Sequence, residues 1–147
     1  MNEKQQQACD DLLALLQGLK TALAVFAESN DLTPPQLWAL YIIMHGETTM
    51  GKLAVTLHCD ASNVTGIVDR LVARDLITSK ILPHDRRAKI LGLTAKGHKV
   101  IDACMLELPE RLGIERLDKI DRHNLHVIVA KLPVISQPVV LGGTVVA

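Results

Sequence analysis

Leu12, Leu15, Leu16, Leu19, Leu23 and Phe26 recur at steps of three and four residues, which places them on one face of a helix over residues 5 to 28. Asn30-Asp31 ends it. The string TPPQ sets Thr33 as N-cap, Pro34 at the first helical position and Gln36 as the reciprocal partner of a capping box, opening a second helix that reaches about His45. Gly46 closes that one. A short third helix is predicted from about Thr49 to Leu57 and a fourth from an Asp60 N-cap to about Arg74, with only HCD between them. Two helices joined so tightly make a helix-turn-helix candidate. In the fourth, Val64, Ile67, Val68, Leu71 and Val72 share one stripe, which turns Ser62, Asn63, Gly66, Asp69, Arg70 and Ala73 outward.

Beyond Leu76 the pattern becomes extended. ITSKIL and RAKILGL flank the turn PHDR, which predicts a β-hairpin, or wing, of five to six residues per arm. Thr94 caps a fifth helix to about Leu108, where Pro109 interrupts, and Asp118 caps a last helix that brings Leu125, Ile128, Val129 and Leu132 together before Pro133. The tail PVISQPVVLGGTVVA has no charge; its two prolines and Gly-Gly pair exclude a continued helix, and it is too short to span a membrane. It is expected to be loose or packed on a partner.

A chain of 147 residues is long enough for one domain with a real core, and Phe26, Trp38 and Tyr41 are its only aromatics. The expected fold class is therefore mainly α with a small β wing. No run of 18 apolar residues and no secretory pattern occurs in the sequence, so a cytoplasmic protein without membrane attachment is expected. Cys9, Cys59 and Cys104 stand at unrelated spacings, which fits reduced thiols better than a disulfide framework or a zinc site. The net charge is zero, but between Thr49 and Lys99 nine Lys and Arg face four Asp, so that segment carries +5 and the remainder −5. Such a basic middle suits a polyanion.

The order helix, helix, short helix, helix, wing, helix, helix resembles the MarR family of winged-helix transcriptional regulators. The resemblance rests on LTPPQLWAL (32–40), MGKLAVTLHCDASNVTGIVDRLVARDLI (50–77) and DRRAKILGLT (85–94), and covers about residues 8 to 132. It implies a winged-helix lobe over about 33–98, dimerisation helices at about 5–28 and 99–132, and the tail at 133–147. It also implies a homodimer on double-stranded DNA with a pseudo-palindromic operator, half-sites being one helical turn apart, about 10 bp. The fourth helix would enter the major groove and the wing would reach toward the minor groove, with Arg87 inserting, Asp85 steadying it, and Arg86 and Lys89 meeting phosphates. Ser62, Asn63 and Thr65 could bond phosphates or base edges, and Arg70 would suit a phosphate. The bland alternatives are that Asp60 and Ser62 only cap the helix, that the wing cations only solvate a hairpin, and that Arg70 pairs with Asp69 or Arg74 with Asp75. Many relatives carry a large polar or basic residue where this chain has Gly66, which weighs against arginine-to-guanine readout there.

Family resemblance also suggests a small phenolic or lipophilic effector near Trp38 and Tyr41, residues that otherwise read as core. Some relatives sense peroxides through a cysteine placed like Cys9, but Leu23 and Pro34 stand where the partner tyrosines would be expected; Cys59 and Cys104 are weaker sensor candidates. His123 and His126 are spaced as a metal pair without an evident third ligand, so no metal or other cofactor is expected. The function classes are a dimeric DNA-binding regulator acting as an effector-relieved repressor, a winged-helix protein-interaction module without DNA binding, and a Cys9 thiol enzyme. The last lacks any visible base, so the chain is not expected to be an enzyme.

Overall fold

The computed structural model describes residues 2–82, 85–132, 140–141 and 144–145. Helix α1 runs Glu3–Ser29, with Asn2 as its cap: the Gln5 amide donates to Asn2 Oδ1 at 2.9 Å, and Gln5 Oε1 accepts from the Asn2 amide at 3.1 Å. It ends at Asn30, and Asp31 takes a left-handed turn at φ +53°. Helix α2, Pro34–Met44, opens with Gln36 Oε1 accepting from the Thr33 amide at 2.9 Å. Leu37, Ala39, Leu40, Ile42 and Ile43 are all buried, so α2 is apolar nearly all round and forms the centre of the lobe.

Around α2 pack Phe26 and Ala27 from the end of α1, Leu53 of α3 (Met50–Leu57), and Val64, Val68 and Leu71 of α4 (Ala61–Ala73). Strands β2 (Ile77–Leu82) and β3 (Asp85–Leu93) add Ile77 and Leu91, and α5 (Ala95–Arg111) adds Ile101 and Cys104. Truncating a fully buried leucine such as Leu40 in a core of this kind costs about 2–5 kcal/mol.

Several expectations need correction. The wing has a third strand, β1 (Thr48–Thr49), which pairs antiparallel with β3 through Thr48 opposite Leu91 and Thr49 opposite Ile90. The sheet order is β1-β3-β2, and β3 has nine residues to the six of β2 because the register shifts between Ile81, opposite Lys89, and Leu82, opposite Asp85. Pro109 does not interrupt α5, which continues to Arg111 with the Leu112 amide donating to Leu108 O at 2.9 Å. A proline in the last turn removes a single intrahelical donor, and Met105, whose carbonyl loses it, is only partly buried. Val72, assigned to the buried stripe of α4, is 40% exposed at its edge. A 3-10 turn, Ile114–Arg116, precedes α6 (Lys119–Lys131). No residue of α6 is buried, and Leu125 and Ile128 of its predicted apolar face are exposed in the single chain, which does not contradict the expected stripe. In the tail, β4 (Val140–Leu141) pairs with β5 (Thr144–Val145); the rest of 133–147 lies outside the described residues.

Exposure is concentrated on the terminal helices. Leu12, Leu13, Leu15, Leu16 and Val25 of α1 and Ile120, Leu125 and Ile128 of α6 face outward from the single chain. By length and composition α1 is apolar enough to cross a membrane, yet its final turn is built into the lobe through Phe26 and Ala27, and Gln17, Lys20, Thr21 and Glu28 interrupt its apolar positions.

Candidate nucleic-acid interface

Helices α3 and α4 meet through a tight turn in which His58 adopts φ +49° and the Cys59 amide donates to Ala54 O at 3.2 Å. Asp60 then starts α4. Its Oδ1 accepts from the Asn63 amide at 2.8 Å and from Ser62 Oγ at 2.8 Å, and Asn63 Nδ2 reaches Oδ2 at 3.4 Å. The Asn63 amide first, and the Ser62 hydroxyl second, hold the Asp60 carboxyl below its ordinary range. Ser62 therefore spends its proton on the cap, and Thr65 spends its own on Ala61 O at 2.8 Å. Their free lone pairs are left to accept, while the Asn63 side chain keeps an amide N–H to donate to a phosphate or base edge.

Every outward position predicted on α4 is exposed: Ser62, Asn63, Gly66, Asp69, Arg70 and Ala73, with Thr65 beside them. Nothing lies within 4 Å of where a Cβ on Gly66 would stand. Among the described residues Arg70 has no ion pair, so the surface pairing with Asp69 is not formed. Arg74 does not pair with Asp75 either. Its guanidinium bonds the carbonyl oxygens of Asn30, at 2.9 Å, and Asp31.

In the wing, Ile81 stands opposite Lys89 and Lys80 opposite Ile90, so the two exposed lysines project from opposite faces of the hairpin. An irregularity between Ile81 and Leu82 shifts the register, Leu82 pairing with Asp85. Lys80 was missed by sequence reasoning, although its alternation with Thr78 in ITSKIL marks it as outward. The side chains of Asp85, Arg86 and Arg87 lie outside the described residues. β1 anchors the wing's return strand directly at Thr49, whose hydroxyl caps α3 by accepting from the Lys52 amide at 3.3 Å. Wing and helix-turn-helix thus share a base.

Residues 30–88 match the model of the MarR family. The chain is 27% identical over 124 residues to the uncharacterized HTH-type transcriptional regulator YhbI of Bacillus subtilis, covering 84% of this chain and 80% of that one. It is 31% identical over 101 residues to the HTH-type transcriptional repressor NicR of Pseudomonas putida, covering 69% of this chain and about half, 52%, of that one. Among solved structures, apo MarR from E. coli superposes with a TM-score of 0.70 at 22% identity, covering 82% of this chain and 91% of that one. The chain belongs to the MarR family. These relatives are transcriptional regulators, not enzymes, and the MarR fold accounts for the helical body and the small antiparallel sheet found here.

Two apolar cavities flank the MarR-type lobe. One, of about 290 Å³, lies between α1, α2 and α5 and is lined by Leu19, Leu23, Trp38, Tyr41, Cys104 and Met105, among others. A second, of about 380 Å³, opens beside it between α1, α2 and Leu57, with Lys20 its only charged wall. Trp38 and Tyr41 stack at 4.9 Å between ring centres, and Tyr41 meets the His45 ring edge-on at 4.7 Å. Trp38 and Tyr41 both line the first cavity; Trp38 is 39% exposed, whereas Tyr41 is half-buried and packs against the core. Cys9 is exposed near the start of α1, whereas Cys104 is buried, and desolvation, aided by the Glu107 carboxylate, pushes its thiol up. His123 and His126 are exposed, and among the described residues no third ligand joins them.

Proposed function

We propose that two copies of this chain, joined through α1 and α6, bind a pseudo-palindromic double-stranded DNA operator in the cytoplasm and repress transcription until a small lipophilic or phenolic effector releases them. The outward face of α4 carries this reading: its small and polar residues are exposed, while the opposite stripe is fixed in the core next to a wing bearing exposed lysines. A polar helix face held out by a rigid lobe suits the major groove, which admits one α-helix. A solved MarR variant from E. coli complexed with operator DNA gives the arrangement a precedent, at a TM-score of 0.64. On this reading Ser62, Asn63 and Thr65 face base edges or phosphates. Arg70, Arg86 and Lys89 meet phosphates, and Arg87, steadied by Asp85, enters the minor groove, where narrow A·T-rich steps concentrate negative potential.

Dimerisation is supported by the apolar residues that α1 and α6 leave uncovered, Leu12, Leu15, Leu16, Ile120, Leu125 and Ile128. Release is supported by the cavity walled by Trp38 and Tyr41, because it lies where α1 meets the lobe. An effector there acts by binding the DNA-incompetent arrangement more tightly than the competent one. Cys9 has the exposure a sensor needs, but Leu23 and Pro34 supply no polarising hydroxyl, so ligand binding is the preferred trigger.

The test is binding to mixed genomic duplexes and to fragments selected from them, measured as salt is raised. Affinity should fall linearly on logarithmic axes, and Arg70→Ala should reduce the slope by about one phosphate contact. Arg87→Ala should lose operator affinity with fold and dimer intact. Unchanged footprints for Arg87→Ala would refute the minor-groove assignment, and salt-independent or absent duplex binding would favour the protein-interaction module.

A further inference from the structure

Arg74 closes α4, but its guanidinium leaves that helix and reaches the C-terminal end of α1, the longest helix among the described residues. It donates to the carbonyl oxygens of Asn30, at 2.9 Å, and Asp31, the groups at and just beyond the end of α1. The Asn30 carbonyl, at the C-cap, belongs to the negative end of the α1 dipole, so a cation there is favourable as well as directional. The clamp is itself held. Lys96 Nζ donates to Arg74 O at 2.8 Å, and Thr94 Oγ donates to Asp75 O at 2.7 Å, tying the same corner to the start of α5. Both residues that turn the chain at the two joined corners, Asp31 and Asp75, adopt left-handed φ, at +53° and +56°.

Apolar contact between Phe26, Ala27, Leu32 and the core holds α1 to the lobe, but such contact is non-directional and tolerates small rotations. Charge-assisted hydrogen bonds to two successive carbonyls do not. The angle matters because α1 is a lever: its 27 residues reach roughly 40 Å at about 1.5 Å per residue. A tilt of about 5° at the clamped end moves the far end by roughly 3.5 Å, close to one base-pair step along a duplex.

We infer that Arg74 is a positioning residue whose grip on the end of α1 sets the angle of α4 relative to α1, and so the half-site spacing that a pair of lobes accepts. This rests on the proposal that paired lobes grip one duplex. Arg74 need not touch DNA, and its effect is on spacing tolerance rather than on base preference.

The test uses the full-length protein and a duplex selected by it from a randomised pool, together with versions carrying one or two base pairs inserted between half-sites. Each insertion displaces one half-site by roughly 3.4 Å and rotates it by about 35°. The parent should lose on the order of 30-fold or more in affinity per insertion, each mispositioned contact weakening binding as a mismatch does. Arg74→Met should weaken binding to the original duplex and flatten the penalty to about threefold, while Arg74→Lys, able to reach one carbonyl, should fall between. Circular dichroism and sedimentation establish that each variant is folded and dimeric; should Arg74→Met fail to fold, Arg74→Lys and Arg74→Gln carry the comparison. A folded, dimeric variant that lowers thermal stability yet keeps the parent's spacing profile would overturn the inference and leave the DNA reading intact. If the parent selects no duplex, it is the DNA reading that fails, and the inference falls with it.

Discussion

Gly97 is the position where a single methyl group should do the most damage. It is buried in the first turn of α5, and a Cβ there would overlap the Leu76 carbonyl oxygen, with Leu76 C at 3.0 Å and Leu93 Cδ2 at 3.2 Å closing the remaining space. The neighbour is backbone, so no rotamer change relieves the contact. The start of α5 must move off the α4–β2 corner. That motion pulls on Thr94, whose Oγ accepts from the Gly97 amide at 3.0 Å and whose own amide donates to Leu76 O at 3.1 Å. Overpacking costs about 1–3 kcal/mol, and a weakened cap adds about 1 kcal/mol. A total of about 2–4 kcal/mol is a large share of the ~5–15 kcal/mol typical of a domain. For a chain of this size Tm should fall by roughly 5–15 °C for Gly97→Ala, read by far-UV circular dichroism with urea unfolding alongside. Duplex affinity should fall as well, because Leu76 follows directly on the end of α4. A variant whose Tm stays within about 1 °C of the parent would refute the placement of α5 against Leu76.

The same substitution at Gly66 should act in the opposite direction on stability. It is helical, exposed and without neighbours, so Gly66→Ala should stabilise by about 0.8–1 kcal/mol in urea unfolding while lowering duplex affinity; a loss of stability would mean that α4 is not packed as described. Asp60 should make the start of α4 sensitive to acid. Its carboxyl is held below its ordinary value of 3.8, so its contribution is fully present above that pH and is lost as pH falls through the lowered value. The Asn63 amide should therefore lose protection from hydrogen exchange at acid pH in the parent but not in Asp60→Asn, which keeps an acceptor; equal acid sensitivity in both would sink the assignment.

What the sequence made legible was local. Capping residues act over three or four positions, so Thr33, Asp60, Thr94 and Asp118 could each be read directly from the chain, and each opens a helix. What it hid was long-range or marginal. β1 is two residues whose pairing depends on Ile90 and Leu91, some forty positions away, and no periodicity exists in so short a strand. The partners of Arg74 are equally remote, and a surface pairing with adjacent Asp75 was the natural guess; only the folded corner brings the end of α1 within reach. Pro109 shows a local rule losing to position, since a helix already near its end gives up little to a missing donor. For the interface, the outward face of α4 was readable from one stripe of valines and leucines, whereas the acceptor character of Ser62 and Thr65 follows from bonds that only the structure supplies.

Zero net charge, taken alone, argues against a polyanion as partner, and the geometry explains why it does not decide the matter. The basic excess belongs to residues 49–99, which build the helix-turn-helix, the wing and the start of α5, with Lys52, Arg70, Lys80, Lys89 and Lys96 exposed. Of the compensating carboxylates, Glu3, Asp10 and Asp11 sit at the far end of α1, while Glu28, Asp31 and Glu47 stand beside the lobe. Glu3, Asp10 and Asp11 are roughly 27 to 39 Å along the helix from Ser29, whereas charges are screened over about 8 Å at physiological ionic strength. On the proposed reading, a duplex docked on α4 meets the charges of the lobe and wing rather than the chain's total. At ionic strengths near 0.01 M, where the screening length grows to about 30 Å, the acidic arm enters the same field, and the salt dependence of binding should flatten toward that limit.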